Sequence, residues 1–477
     1  MVSVCSSSRD PDFLRSLYEY LIDTEHADVL LRINSPALEC WLRDERKDVN
    51  LLWRYYARNG RDALAGETMR RRGCAADKVQ LDERVECLEK ALNSFASASE
   101  RGGEQDISEA PFFSLADGNL SRTAPRQRQR APTREELGRA FTQVKEQLEV
   151  ARLQQRILHA SESVPKSSLD DAKRDALSFS LVSATDLYND FAAPLALYDL
   201  CLLMLCTCGN NDPATISTLW RSILSEEVLP CKTRSPEAYA FINEMARTSM
   251  VEENCQLLTD EWTGNTSPML FEDGTWIPRL RDRVTSLGKE LYGKGADYTF
   301  PIELLIECLE GLRRAHDAAI VSSSSTDSST PSESNPWPLM IFLDVGVHFS
   351  SLLGAYDAVF FSRGGHGITG QGEDHGDLLQ RLASIGEVLK LWASTAFSSS
   401  KQSFGGGRGE DMGNGTSNMN ATNDAFVQLS QAVSSGGLLS RIDVYKASLE
   451  SSMGNNDERS SLYSMFRDVE DSIKRST

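Results

Sequence analysis

Cys201, Cys206 and Cys208 form the one cysteine cluster in a chain of 477 residues and ten cysteines. Thiolates this close in sequence could ligate zinc, but a tetrahedral site needs further Cys or His donors at the usual spacing. The six histidines (His26, His159, His316, His348, His366 and His375) lie elsewhere, none paired at helical spacing. The three thiols therefore read as packing residues, and no metal is implied. His366 and His375 flank Glu373 and Asp374 and could hold a stray cation; we read them as solvated loop residues. The loop Gly364-Gly-His-Gly-Ile-Thr-Gly-Gln-Gly372 has the glycine content of a phosphate cradle. It follows no convincing strand and lacks the Gly-Lys-Ser/Thr ending, so no nucleotide cofactor is expected. The acid pairs Glu135-Glu136, Asp170-Asp171 and Glu226-Glu227 read as solvated faces or first-turn helix acids. No catalytic, cofactor-binding or metal-ligating residue is nominated, and the chain is not expected to be an enzyme.

One aromatic cluster remains, Trp53-Arg-Tyr-Tyr56 with Trp41 upstream. It could line a peptide-binding groove or fill a helix–helix core. Leu51, Leu52, Tyr55 and Tyr56 repeat at helical spacing, which favours the core; any exposed part would be an anchor for a partner helix or linear peptide.

The charge balance narrows the partners. With 50 basic against 69 acidic residues, the formal charge is −19, so phosphate backbones and anionic lipid surfaces would repel the chain as a whole. The local basic stretch Arg122, Arg126, Arg128, Arg130 and Arg134, interleaved with Pro125 and Pro132, reads as a flexible linker; nuclear import or RNA contact is the alternative. The start of the chain has no signal-peptide pattern, and the scattered cysteines fit free thiols in a reducing compartment.

Helical periodicity organises what is left. Phe13, Leu17, Tyr20 and Leu21 recur at helical spacing, as do Leu81, Val85, Leu88, Leu92 and Phe95. The pattern returns at Phe141, Val144, Leu148 and Ala151, at Ile302, Leu305, Ile306, Leu309 and Leu312, at Leu378, Leu382, Ile385, Leu389 and Trp392, and at Leu462, Phe466, Val469 and Ile473. Ser35-Pro36, Asp212-Pro213 and Ser235-Pro236 each place a capping side chain before a first-turn proline. The run from Leu187 through Pro194 to Cys206 reads as a Pro-started, nearly all-apolar helix that other helices must bury on all sides. Its apolar part is too short for a membrane span and carries Asp199. Leu339 to Phe349 reads as a further helix with a break near Gly346. With no strand partners and no fixed repeat, the predicted fold is all-α, an irregular α-solenoid of stacked antiparallel helix pairs with low-complexity insertions.

The predicted segments are an N-terminal helical stack (1–96), a disordered Arg/Pro-containing linker (97–132), a central solenoid (133–320), a Ser-rich linker (321–335), a C-terminal stack (336–397), a Gly/Ser/Asn-rich disordered linker (398–423) and terminal helices (424–477). The three linkers lack the apolar surface that would offset the entropy of ordering them.

Ordered blocks along most of the chain carry a resemblance. They are Leu17-Tyr-Glu-Tyr-Leu-Ile-Asp23, Ile33-Asn-Ser-Pro36 with Leu38-Glu39, Leu51-Leu-Trp-Arg-Tyr-Tyr56, Leu81-Asp-Glu-Arg-Val-Glu-Cys-Leu88 and Glu149-Val-Ala-Arg-Leu-Gln154. Leu187-Tyr-Asn-Asp-Phe-Ala-Ala-Pro194, Asp212-Pro213 with Leu219-Trp220, Phe300-Pro-Ile-Glu-Leu-Leu305 and Tyr356-Asp357 continue them, to about Arg363. In their order and spacing the blocks resemble the C-terminal helical solenoid of the large non-repetitive inner-ring scaffold nucleoporins, the one-hundred-and-fifty-five-kilodalton class. The resemblance implies a structural, non-enzymatic part of the nuclear pore complex at the nuclear envelope, supporting nucleocytoplasmic transport. It implies as partners other inner-ring scaffold nucleoporins and linker nucleoporins, whose motifs enter solenoid grooves. The family's N-terminal propeller, with its membrane-contacting loop, is not in this sequence, so a fragment, a truncated product or a reduced function is expected, with membrane association only indirect. A helical scaffold subunit of a vesicle-coat or trafficking complex is the alternative, and partner identity separates the two.

Overall fold

The computed structural model describes residues 8, 10–101, 133–162, 170–228, 274–293, 295, 297–323, 336–361, 375–402, 416–451 and 456–475. These are helical throughout, with no strand among the described residues. They divide into two compact units, Met1–Cys208 and Gly209–Thr477.

The first unit opens with α1 (Pro11–Asp23), α2 (Ala27–Leu30) and α3 (Pro36–Cys40), which widens into a π-helical turn, Trp41–Arg46. Then follow α4 (Val49–Arg58), α5 (Asp62–Gly73), α6 (Leu81–Glu100), α7 (Arg134–Glu162), α8 (Asp171–Phe179), the short α9 (Ala184–Asp186) with a π-helical turn Leu187–Ala192, and α10 (Tyr198–Cys208). Starts follow the sequence signals. Ser35 accepts a hydrogen bond from the Ala37 N–H ahead of Pro36, and Asp48 accepts one from the Leu51 N–H at α4. At α7 the Thr133 N–H donates to Glu136 at 2.7 Å while Thr133 Oγ1 accepts from the Glu136 N–H at 3.3 Å, a reciprocal capping box. α4 packs on α5, α5 on α6 and α6 on α7. One core joins Tyr18, Leu38, Trp41, Leu52, Tyr55 and Tyr56; a second joins Leu88, Ala91, Phe95, Val144, Leu148 and Ala151. α5 and α6 approach so closely that a Cβ on Gly66 would sit 2.9 Å from the Phe95 ring.

Two predictions about faces and runs are corrected here. On α1 the buried face is Leu14, Tyr18 and Leu21, with Leu17 at its edge, whereas Phe13 and Tyr20 are 44% and 64% exposed. Spacing alone admits both neighbouring stripes, and packing chose the one with Leu14 and Tyr18. The apolar run 187–206 is two elements instead of one Pro-started helix. Pro194 has no N–H for the Asp190 carbonyl, which accepts from Lys173 Nζ at 3.4 Å, and Ala196 turns the chain left-handed at φ 54°. α10 begins only at Tyr198. The predicted all-round burial holds for it: every residue from Leu200 to Leu205 is buried, and each buried leucine is worth roughly 1.5–3 kcal/mol of transfer free energy.

The second unit contains α11 (Pro213–Val228), α12 (Trp276–Leu291), a 3₁₀ turn Asp297–Thr299, α13 (Ile302–Ser323), α14 (Trp337–Val345), α15 (Phe349–Phe361), α16 (His375–Gln402), α17 (Thr416–Ser434), α18 (Gly437–Ser451) and α19 (Asn456–Lys474). Asp212 caps α11 by accepting from the Thr215 N–H at 3.1 Å. Gly346, at φ 98°, ends α14 where the break was predicted, and its N–H donates to the Leu343 carbonyl. α11 packs on α12, α12 on α14, α13 on α15, α15 on α16, and α16 on both α17 and α19. Gly288 is one tight point, since a Cβ there would lie 2.5 Å from Val345 and 2.9 Å from Phe300. α6, α13 and α16 extend to Glu100, Ser323 and Gln402. Ser235-Pro236 lies outside the described residues.

Candidate functional site

Among the described residues, those that could have done chemistry are not brought together. Cys201 is fully buried and burial pushes its thiol up to about 12, Cys206 is half-buried, and Cys208 is exposed. A thiol raised in this way stays protonated and is no nucleophile. Among the described residues no group of three or more His, Cys, Asp or Glu gathers at metal-binding separations. His366, Glu373, Asp374, the 364–372 loop and Arg122 to Arg130 lie outside the described residues, as does the side chain of His375; Arg134 opens α7. No described helix is long and apolar enough to cross a membrane.

The aromatic cluster is core: Trp41, Tyr55 and Tyr56 are buried, and Tyr18 stacks at a tilt on Trp41, with centroids 5.4 Å apart. Trp53 is half-buried. It donates to Ser94 Oγ at 3.2 Å and has Lys90 Nζ 5.3 Å from its ring centroid, so it ties α4 to α6.

What the side chains do assemble is a set of buried polar junctions between helices. Tyr56 Oη donates to Glu39 Oε1 at 2.9 Å and Arg61 to Glu39 Oε2 at 2.7 Å, so α3 is fixed to α4 and to the turn after it. Burial pushes the Tyr56 phenol up, with the Glu39 charge adding to it. Arg84, on α6, is 2% exposed and donates to the carbonyls of Gly73, Ala75, Asp77, Val79 and Phe179 at 2.6–3.2 Å. Five carbonyls from the ends of α5 and α8 and the loop between α5 and α6 thus share one guanidinium, where helix C-terminal partial charge favours a cation. Burial lowers the Arg84 pKa. Beside it Gln154 of α7 donates to Leu177 and Ser180 carbonyls at 2.7 and 2.6 Å and accepts from the Val182 N–H at 3.1 Å.

The second unit repeats the device. Trp220 Nε1 donates to the Thr299 carbonyl at 2.9 Å and meets Phe300 edge-on. Glu226 and Glu227 each accept from Arg283 at 3.0 Å. This corrects their reading as solvated or first-turn acids: they end α11 and are mostly covered because α12 brings Arg283 against them. Tyr356 Oη donates to Glu310 Oε1 at 2.8 Å, Ser384 Oγ to Glu310 Oε2 at 3.2 Å, and Arg313 to both oxygens of Glu387 at 2.7 and 3.0 Å. Burial raises the Glu310 pKa against the opposing charge of Arg313; for Arg313 burial opposes the charge, and the bond to Glu387 and neighbouring carboxylates outweigh it. The next residue on α15, Asp357, accepts from Tyr445 Oη and pairs with Arg441 at 3.1 Å, which links α15 to α18. α15 therefore faces α13 and α16 with one residue and α18 with its neighbour.

Part of this set falls inside the blocks that carried the resemblance: Glu39, Tyr56, Arg84, Gln154, Trp220, Phe300, Tyr356 and Asp357 belong to them, whereas Arg283, Glu310, Arg313, Ser384 and Glu387 do not. Sequence reasoning had not assigned them roles. Glu310 and Arg313 had a legible signal, two charges three apart among Leu309 and Leu312 on a face that must be buried.

Two open grooves lie on the surface. One of about 470 Å³ is lined by Arg46, Lys47, Asn50, Arg72, Glu86 and Lys90 among others, and one of about 720 Å³ by Ile277, Pro278, Arg281, Lys289, Trp337 and Asp344 among others. The first also includes Cys87, whose thiol burial pushes up and so keeps protonated.

A family model described as the non-repetitive/WGA-negative nucleoporin C-terminal family matches residues 1–421. Nuclear pore complex protein Nup154 of Drosophila melanogaster is 24% identical over 230 residues, 46% of this chain and 14% of that protein. Nucleoporin NUP170 of Chaetomium thermophilum is 24% identical over 239 residues, 49% of this chain and 15% of that protein. The chain thus spans a small part of the curated relatives it matches. The solved complex of the Chaetomium thermophilum Nup170 C-terminal domain with Nup145N superposes at TM-score 0.58 and 17% identity, over 99% of this chain and 72% of that chain. Likeness at that identity shows the fold, an irregular α-solenoid.

Proposed function

Because the chain belongs to the non-repetitive/WGA-negative nucleoporin C-terminal family, we propose that it is a structural constituent of the nuclear pore complex inner ring. In this reading it sits at the nuclear envelope, has no enzymatic activity, and supports nucleocytoplasmic transport by binding other nucleoporins. The observation that carries the reading is the family match over residues 1–421, which spans most of both compact units. The buried junctions support it, since they spend the chain's polar groups on fixing helices to one another. The relative solved with Nup145N supports a solenoid that receives segments of linker nucleoporins. The linkers expected at 97–132, 321–335 and 398–423 narrow to about 102–132, 324–335 and 403–415, because α6, α13 and α16 run to Glu100, Ser323 and Gln402 and α17 starts at Thr416, and membrane association is indirect, through partners or an N-terminal domain.

The test is to tag the chain in its own cells, image it, and identify bound proteins by mass spectrometry at moderate salt. A nuclear-rim signal with recovery of inner-ring scaffold and linker nucleoporins is the expected result. Recovery of coat or tethering subunits with no rim signal would overturn it.

A further inference from the structure

α1 carries two faces with different fates. Leu14, Tyr18 and Leu21 enter the core, whereas Phe13 and Tyr20 are among the most exposed large hydrophobic residues described, and half-buried Leu17 lies between them. At about 100° per residue, Phe13, Leu17 and Tyr20 fall within roughly 60° of one another, a continuous stripe. Along its far side, away from the core face, run Asp12, Glu19 and Asp23, all exposed and within about 40° of each other by the same count. Asp12 is 89% exposed. The one cation of α1, Arg15, is held at 2.7 Å by Glu45 of the π-helical turn, and reaches Asp12 only at 3.7 Å. An aromatic stripe edged by carboxylates has a definite complement.

We propose that this face of α1 docks a basic amphipathic helix of a partner protein. Its apolar residues would cover Phe13, Leu17 and Tyr20, and its Lys or Arg side chains would meet Asp12, Glu19 and Asp23. A helix is the occupant because the stripe runs at i, i+4 and i+7, the pattern that a helix laid alongside reads, and because contacts between described elements are helix on helix. Aromatic anchors supply the affinity, while the acidic edge fixes polarity and speeds association. The proposal draws on the scaffold reading only in taking the occupant to be protein.

The probe is a fluorescent 18-residue peptide of leucine and lysine patterned as an amphipathic helix, titrated by anisotropy against the full chain. A scrambled peptide of equal composition measures general attraction to a chain of charge −19. The variants are F13S/Y20S and D12N/E19Q/D23N, all at exposed positions, each checked for an unchanged melting temperature. Binding at least tenfold tighter for the patterned peptide than for the scrambled one, with each variant losing at least tenfold, is the expected result. Equal binding of the two peptides, or variants that bind like the parent, would overturn the proposal. So would sedimentation showing that the parent self-associates and F13S/Y20S does not, which would make a second copy the occupant. The titration uses purified chain, so it can fail while the nuclear-rim result stands, and the reverse.

Discussion

Replacing Arg84 by methionine tests whether the polar junctions hold the helices. Methionine keeps most of the volume and removes every donor. Of the five carbonyls that Arg84 satisfies, those of Ala75 and Asp77 lie in the loop after α5, where water replaces the lost bond. Those of Gly73 and Val79 are buried, and that of Phe179, half-buried, takes two of the guanidinium's bonds. Orphaning a buried acceptor costs about 1–1.5 kcal/mol at the lower end of the usual range, so three cost roughly 3–4.5 kcal/mol. Relief from desolvating a guanidinium returns about 1 kcal/mol, which leaves a net loss of about 2–3.5 kcal/mol. That corresponds to opening about thirtyfold to several hundredfold more frequent. Because the chain has two compact units, a single unfolding curve would blend them. Amide hydrogen exchange by mass spectrometry separates them. Peptides from α6 and α8 should lose protection by that factor, and peptides from α13 and α16 should not change. Arg84→Lys, with three donors on a point charge, should fall between. A loss below about fivefold at α6 and α8, or an equal loss in both units, would refute the argument that this guanidinium joins α5, α6 and α8.

Gly288→Ala should destabilise the second unit by about 1–3 kcal/mol, since its Cβ must displace Val345 and Phe300, and thermal unfolding of the variant checks this. Ala196→Gly should be neutral or raise stability by up to about 1 kcal/mol, because glycine adopts the left-handed φ without the Cβ penalty; a lower melting temperature would count against it. Burial raises the Glu310 pKa, so its folded value lies above its unfolded one and its favourable contribution is present at low pH and lost as pH rises through the folded value. Glu310→Gln should therefore gain stability relative to the parent as pH rises from the unfolded carboxyl range, by at most about 1.4 kcal/mol per pH unit, and then level off. Exchange at α13 measured in acid and at neutral pH gives the sign, and a relative loss with rising pH would refute it.

The all-α class, the capped starts at Ser35 and Asp212 and the break at Gly346 were legible because each depends on a few neighbouring residues. The inner faces of α6 and α13 were legible for the same reason, since a run of leucines at helical spacing admits one burial pattern. α1 shows where this stops. Phe13, Leu14, Leu17, Tyr18, Tyr20 and Leu21 form an apolar arc wide enough for two stripes, and only the neighbours Leu38, Trp41 and Tyr55 decide which is buried. The apolar run at 187–206 failed for a different reason: hydropathy reports burial and is silent about backbone, so it recovered the covered segment 200–205 while missing the interruption at Pro194 and Ala196. The polar junctions were invisible as roles because their partners are far apart in sequence; Arg84 meets the Phe179 carbonyl, and Glu310 meets Ser384. Yet some of their residues, Arg84, Tyr356 and Asp357 among them, sat in the blocks that carried the family resemblance. A buried arginine tolerates no substitute that keeps five carbonyls satisfied, whereas a buried leucine exchanges with methionine or isoleucine at small cost. The blocks therefore mix buried apolar residues with polar ones that fix one helix to the next, such as Arg84 and Asp357, and they also include Leu17, Glu19, Tyr20 and Asp23 on the outer face of α1.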